Sequence, residues 1–376
     1  MVYIVDYSFT VFGRIGGIWA SYRASDLASM VIKDVISRFA YPIDLVVLGN
    51  VIGAGNGQNL ARQALIKAGL SINTPAFVVN QVCISPIKAL QTAFVNIISG
   101  EYDVVLAGGV ESMTNAPFLV RSRMGNKYGD MVLEDSINTD GLRCAISSKL
   151  MIELAEVIAK KYSISRQEQD EIAFNSHKRA LDFWKNENMN YVGNCRDENI
   201  REDISREKLA SLKTVVRVDG ATITAGNASS LADGAAILLL VSEKILNKYN
   251  LKPLARIIGF AESFDLPESF PIVPSISTNT LLKKYCISKE DVDLWEINEA
   301  FACVLAANMK ILDIPYSRTN IFGGAIAFGH PIGATGARLV INSILGMKKF
   351  NYGKSVIMVC AGSGGGYSML IENIKD

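Results

Sequence analysis

Along the chain, short apolar runs alternate with longer amphipathic stretches. Residues 44–51 (DLVVLGNV), 76–82 (AFVVNQV), 102–109 (YDVVLAGG), 293–300 (DLWEINEA) and 355–362 (SVIMVCAG) have the length and composition of buried strands. Helical spacing follows several of them. After Cys83, the residues Ala89, Leu90, Ala93, Phe94 and Ile97 fall on one face, and Gly100 stands where such a helix would stop. Strands and helices in alternation predict an α/β fold whose sheets are covered by helices.

The pattern also repeats. PIDLVVLGN and DVDLWEINE lie about 250 residues apart, and VVLAGG and IMVCAG share nearly that offset. In the second copy, SVIMVCAGSGGGYSMLIE predicts a hairpin of strand, glycine turn and strand. In the first copy the strand DVVLAGG has no partner directly after it; a matching run, DGAAILLLVSE, comes only about 120 residues later. A duplicated fold with an insertion in its first half accounts for this spacing. The units are then 1–113 with 231–252, an inserted domain 114–230, and 253–376. The insertion is more charged. It holds a helix whose start carries the capping pattern Ser165-x-x-Glu168. His177 lies within that helix and is read as an ordinary surface or packing residue.

Composition narrows the function. With 38 Lys and Arg against 37 Asp and Glu, the formal charge is +1. That leaves no electrostatic footprint for nucleic acid or an anionic membrane. No apolar run approaches the 18 or so residues of a membrane-spanning helix, and the start MVYIVDYSFT does not read as a signal peptide. Six scattered cysteines, none at C-x-x-C spacing, and two histidines argue against a metal site and for a reducing compartment. The cytoplasm is the expected location.

The unusual polar residues sit at strand ends or among glycines. NQVCISPIKAL places Cys83 where a strand gives way to a helix, with Pro86 in the first turn. EINEAF brings Asn298 and Glu299 to a strand end in the other half. GHPIGATG and VCAGSGGG supply His330 and Cys360. Taken singly, each has an ordinary structural reading: a core cysteine, a turn asparagine, a glycine loop. The glycines around His330 do not spell G-x-G-x-x-G, which counts against a dinucleotide site and leaves a nucleotide-dependent oxidoreductase as the least favoured reading. Together they suggest more. A cysteine at a helix N-terminus is biased toward thiolate, and a histidine between glycines can be closely approached by a substrate.

With NQVCISP, GGVESMTNAPF, ISRQEQDEIAF, TITAGNASSLADGAA, INEAFA, GGAIAFGHPIGATGAR and CAGSGGG in this order, the chain resembles thiolases of the acetyl-CoA acetyltransferase type nearly from end to end. The resemblance implies the five-layered α-β-α-β-α thiolase fold, built from two duplicated halves plus an inserted loop domain. It implies acyl transfer between CoA thioesters: reversible condensation of two acetyl-CoA, or thiolysis of a 3-ketoacyl-CoA, through an acyl-cysteine. Cys83 is then the nucleophile, His330 the base that accepts its proton, and Cys360 the group that moves the α-proton. Asn298 holds a water that, with His330, stabilises the enolate. Backbone N–H groups of Cys83 and Gly362 form a second oxyanion hole. Leu142, Met151, Ser229, Ala300 and Phe301 match positions that bind substrate or CoA. No cofactor or metal is implied, since coenzyme A is substrate and product, and a dimer or tetramer of identical chains is expected.

Four departures from the family pattern bear on the pocket. The usual C-G-S-G is Cys83-Ile84-Ser85-Pro86, so Ile84 is expected to narrow the space beside the sulfur. A His-Met pair followed by glycine is Leu150-Met151-Ile152. The usual G-x-G-P-x-P reads PIVPSIS, and an N-terminal Arg-Thr is Phe9-Thr10. These leave a second reading open: a CoA-thioester-binding relative with weak or altered activity.

Overall fold

The computed structural model describes residues 1–186 and 189–374, so two residues of the inserted stretch and the last two of the chain lie outside them. Nine principal strands form one continuous path: β1 (Val2–Thr10), β2 (Leu45–Gly49), β3 (Ala76–Val79), β4 (Val104–Ser112), β5 (Ala232–Ser242), β6 (Ala255–Phe264), β7 (Leu294–Ile297), β8 (Lys354–Ala361) and β9 (Gly365–Glu372). Their spatial order is β7-β8-β9-β6-β1-β5-β4-β2-β3. The two halves of that path copy each other. β2 and β4 pair in parallel as β7 and β8 do, while β4–β5 and β5–β1 are antiparallel as are β8–β9 and β9–β6. The place that β3 takes beside β2 is taken in the second half by a single parallel bridge from Trp295 to Thr319. β1 and β6 join the halves, with Tyr3 opposite Arg256.

Helices divide the strands into layers. α1 (Ala24–Arg38) and α2 (Leu60–Ala68) cover the outer face of the first half. α6 (Val273–Tyr285) and α7 (Ala302–Leu312) cover the outer face of the second. Between the sheets lie α3 (Ser85–Ile98) and α8 (Thr335–Phe350), in contact with each other. The period-two alternation of each strand feeds two cores at once. On β2, Leu45 and Val47 face the central layer, and Val46 and Leu48 face α1 and α2. α8 is buried around its whole circumference through Met347, as a helix between two sheets must be. The five-layered α-β-α-β-α arrangement is therefore present.

β4 and β5 pair directly, although 119 residues separate Ser112 from Ala232 in the chain. That intervening stretch carries α4 (Met151–Lys161) and α5 (Arg166–Asn186). Ser165 caps α5 by accepting the Glu168 N–H at 3.1 Å, but the Glu168 carboxylate binds Lys310 at 3.0 Å instead of closing the reciprocal box. His177 is a packed residue: its Nδ1 accepts the Arg201 N–H at 3.2 Å, and burial pushes its pKa down to about 4.

Asp197 ties the inserted stretch to the central layer. Its carboxylate accepts from the Phe12 N–H at 2.6 Å, Trp184 Nε1 at 3.0 Å and Arg338 Nη2 at 3.1 Å. Both partners of the ion pair are fully buried, and the Arg338 guanidinium lies 3.8 Å from the Phe9 ring centroid. Removing one partner would leave an uncompensated charge in this aromatic surround. Asp197→Ala is expected to cost about 3–5 kcal/mol, measured as a lowered urea midpoint.

Candidate active site

The site forms where the C-terminal ends of β4, β7 and β8 meet the starts of α3 and α8. Cys83 lies two residues before α3. Val82, the residue preceding it, is held at φ 49°, in the left-handed region that a β-branched side chain rarely occupies. Such strain costs about 1–3 kcal/mol and collects at functional sites. It turns the chain sharply so that Cys83 faces across to the β8–β9 turn. The backbone N–H of Gly362 in that turn and the N–H of Cys83 itself lie close enough to the Cys83 sulfur to favour its thiolate. Ser363 in that turn is also left-handed, at φ 65°. Cys360, at the end of β8, is buried, and the charges of the two sulfurs would repel each other.

The helix start was expected to favour the thiolate of Cys83, but the site does the opposite. Removal from solvent, together with the nearby Glu111 carboxylate, outweighs the two N–H groups and pushes the thiol up to about 12. Burial likewise raises Cys360 well above the ordinary thiol range. Both sulfurs therefore rest protonated near neutrality, and an ionised sulfur here requires a partner that takes the proton.

His330 is the neutral base of the site. Its Nδ1 lies 2.7 Å from Thr335 Oγ1, and the same hydroxyl donates to the Pro331 carbonyl at 3.0 Å. With its single proton so used, the hydroxyl accepts from Nδ1–H, which assigns the proton to Nδ1 and leaves the lone pair on Nε2. Nε2 faces Asn298 Nδ2 at 3.3 Å. Burial without a neighbouring carboxylate pushes His330 down to about 4, so it is a neutral base at pH 7. Asn298 is fixed by its own N–H to the Met358 carbonyl at 2.9 Å, two residues before Cys360. Its Oδ1 is buried with no protein partner.

Neighbouring loops are stitched around these groups. The Ser229 N–H and Oγ both donate to the Ala300 carbonyl at 3.0 Å, Ala228 bridges Phe301, and the His330 N–H donates to the Ser230 carbonyl at 2.9 Å. Glu299 points away from the site. It is fully buried and accepts from Ser176 Oγ at 2.6 Å, Asn320 Nδ2 at 2.8 Å and the Ile326 N–H at 3.3 Å, pinning the glycine loop before His330. A mainly apolar cavity of about 200 Å³ opens onto His330, walled by Leu142, Met151, Ser229 and Phe301 among others.

A model of the thiolase N-terminal domain matches residues 2–244, and one of the thiolase C-terminal domain matches residues 251–373. The chain belongs to the thiolase family. It is 40% identical to the mitochondrial acetyl-CoA acetyltransferase of Xenopus tropicalis, over 99% of this chain and 92% of that one. It is 39% identical to the human mitochondrial acetyl-CoA acetyltransferase, over 99% and 90%. The crystal structure of the Bacillus anthracis acetyl-CoA acetyltransferase superposes with a TM-score of 0.95 at 34% identity, covering 99% of this chain and 98% of that one.

In this thiolase, Leu142, Met151, Ser229 and Phe301 share the cavity with His330, whereas Ala300 contributes its carbonyl to the loop lacing rather than a wall. Ile84 does not narrow the cavity as expected. Its side chain is fully buried in the central core and packs toward Gly365. Leu150 and Ile152 do line the cavity and make that wall apolar. PIVPSIS opens α6, away from these walls, with Pro274 at a position where a missing N–H is harmless. Sequence reasoning passed over Thr335, Glu111 and Met113. All three lay in quoted motifs, but only the folded loops show what each one touches.

Proposed function

We propose that this thiolase catalyses the reversible condensation of two acetyl-CoA to acetoacetyl-CoA and CoA, by way of an acyl-Cys83 intermediate. What supports this reading is a Cys83 sulfur that rests protonated beside the N–H groups of Cys83 and Gly362, together with a neutral, buried His330 that opens onto the apolar cavity. The names of the relatives at 39–40% identity support acetyl-CoA as the substrate.

His330 Nε2 takes the Cys83 proton as the sulfur attacks the thioester carbonyl. The carbonyl oxygen becomes an oxyanion between the two N–H groups, CoA thiolate leaves, and His330 returns the proton to it. Because an acyl-cysteine is itself a thioester, the acyl group remains activated. His330 Nε2 next takes the proton of the Cys360 thiol, and the Cys360 thiolate, whose high proton affinity makes it a strong base, removes an α-proton from a second acetyl-CoA. The enolate oxygen is met by His330 and by a water on Asn298, whose orphaned Oδ1 and its Nδ2 suit that task. The carbanion attacks acyl-Cys83, and collapse of the tetrahedral adduct frees the Cys83 sulfur, which takes its proton from His330. The same groups run backward in thiolysis. Leu142, Met151, Ser229 and Phe301 would border the acyl and pantetheine portions, with Ala300 shaping that wall. No cofactor is required by these steps.

The apolar wall from Leu150 and Ile152 keeps a second reading alive, that of a relative which binds CoA thioesters but turns over weakly. Mixing the protein with acetoacetyl-CoA and CoA separates the two. Loss of the ketoacyl absorbance at a kcat of about 1 s⁻¹ or more, within the ordinary enzyme range, supports the enzyme; binding without loss supports the relative.

We also propose a homo-oligomer, a dimer or tetramer. β3 ends the strand path with an unpaired edge and an exposed Phe77, which invites a second strand. Residues 118–133 expose Phe118, Met124, Tyr128, Val132 and Leu133 on one arm. Sedimentation at micromolar concentration should give two or four chains. The units 1–113 with 231–252, 114–230 and 253–376 are our proposed division, the middle one meeting CoA. The cytoplasm is our proposed location, given six unpaired cysteines, although the vertebrate relatives are named mitochondrial.

A further inference from the structure

We propose that Glu111 is a positioning residue for the reaction: an ionised carboxylate that docks the His330 loop onto the end of β4 and sets the proton balance at Cys83. The inference rests on the catalytic reading above. Glu111 closes β4 and is fully buried. Its Oε1 accepts from Asn50 Nδ2 at 2.7 Å and the Ile52 N–H at 3.1 Å. Its Oε2 accepts from the Val51 N–H at 3.1 Å and the Gly333 N–H at 2.9 Å. Four donors thus fill the acceptor positions of a carboxylate. A proton on either oxygen would face an N–H donor, so the hydrogen-bond pattern is built for the charged form.

Gly333 is the point of contact with the catalytic loop. It lies three residues after His330 and two before Thr335, which holds the imidazole. A Cβ on Gly333 would come within 2.5 Å of the Val110 carbonyl and 2.8 Å of Glu111 Oε2, and one on Gly109 within 1.9 Å of the Gly333 carbonyl. Strand and loop therefore touch backbone to backbone, and the Glu111–Gly333 bond fixes their register. The same carboxylate bears on Cys83, where its charge opposes formation of the thiolate.

The titratable groups that face Glu111 are Cys83, from the α3 side, and Asp233, from β5. Asp233 is in turn bound by the Thr114 N–H and faced by Glu198. Burial and the Asp233 charge outweigh the N–H bonds and raise Glu111 to about 7. As pH falls through about 7 the carboxyl gains a proton, one N–H contact becomes donor against donor, and the His330 loop loosens. His330, at about 4, does not titrate in that window.

The test compares wild type with Glu111→Gln and Glu111→Asp. In thiolysis, Glu111→Gln should lower kcat about 10–100-fold, the range expected when a reacting group is displaced by about 1 Å. KM should stay within about threefold, and the acid limb of kcat/KM should move from near 7 toward 4, where His330 titrates. Alkylation of Cys83 by iodoacetamide, followed by peptide mass, should shift to lower pH by about one unit or more once the charge is gone. This second readout needs no turnover, so it still reports on Glu111 in a chain that proves inactive. Glu111→Asp keeps the charge but shortens the reach. It should retain the wild-type alkylation profile while kcat falls about tenfold, and it decides the matter if Glu111→Gln does not fold. A folded Glu111→Gln with an unshifted alkylation profile overturns the proposal, as does either folded variant with an unchanged kcat in an active enzyme.

Discussion

Cys83→Ala should lower thiolysis of acetoacetyl-CoA by about 10⁴-fold or more, the scale seen when a covalent nucleophile is removed from a cooperating set. The thiol rests protonated, with a pKa near 12, and two N–H groups converge on it from Cys83 and Gly362. The neighbouring cavity wall is mostly Leu, Ile, Met and Phe and holds no thiol; its hydroxyls are Ser229, already donating to the Ala300 carbonyl, and Ser230. Substrate binding should survive, because the walls that hold it do not depend on the sulfur. KM is therefore expected to change far less than kcat. Cys83→Ser tests the same point from another side. An acyl-serine would trap the acyl group in an ester less reactive than the thioester, so that variant should also fail to turn over.

Cys360→Ala is expected to divide the reaction. The first half needs Cys83, His330 and the two N–H groups, none of which Cys360 supplies, so acetyl transfer onto Cys83 should persist. Carbon–carbon bond formation needs the α-proton removed, and without that base it should fall by about 10²–10⁴-fold. The protein should then accumulate as the acyl-enzyme when incubated with acetyl-CoA alone. Equal loss of both halves would mean that the 360 sulfur supports the fold of the β8–β9 turn rather than the proton transfer. A measured stability within about 1 kcal/mol of wild type, the common cost of a single substitution, excludes that explanation.

Much of this arrangement was legible before the chain was folded. The duplicated strands could be read from spacing, because β2, β4, β7 and β8 are short apolar runs that repeat at one offset. The inserted stretch could be read from the distance between β4 and its partner β5. β1 and β6 were not legible, and the reason is the same in both. Each carries a register shift, between Ile4 and Asp6 in one and between Ile257 and Gly259 in the other, which breaks the period-two pattern that marks a strand. The bulged strands are equivalent members of the two halves, and they are the ones that join the halves together.

The site divides similarly. Cys83, Asn298, His330 and Cys360 stood out because reactive or polar types sat at strand ends and among glycines. The environment of Cys83 did not. A cysteine before a helix is biased toward thiolate by local geometry alone, and only the folded chain places Glu111 and a desolvating wall beside it. Ile84 was misread for a related reason. Adjacency in sequence put it beside the sulfur, but the fold buries the Ile84 side chain in the central core. Thr335 escaped because a hydroxyl at the start of a helix is usually a cap, and here it orients an imidazole instead.

The most direct test of the central claim is intact-protein mass spectrometry after brief exposure to acetyl-CoA, comparing wild type with Cys83→Ala. Wild type should carry one acetyl group that is lost on addition of CoA, and Cys83→Ala should carry none. An adduct that forms equally well without the residue-83 sulfur would contradict the account.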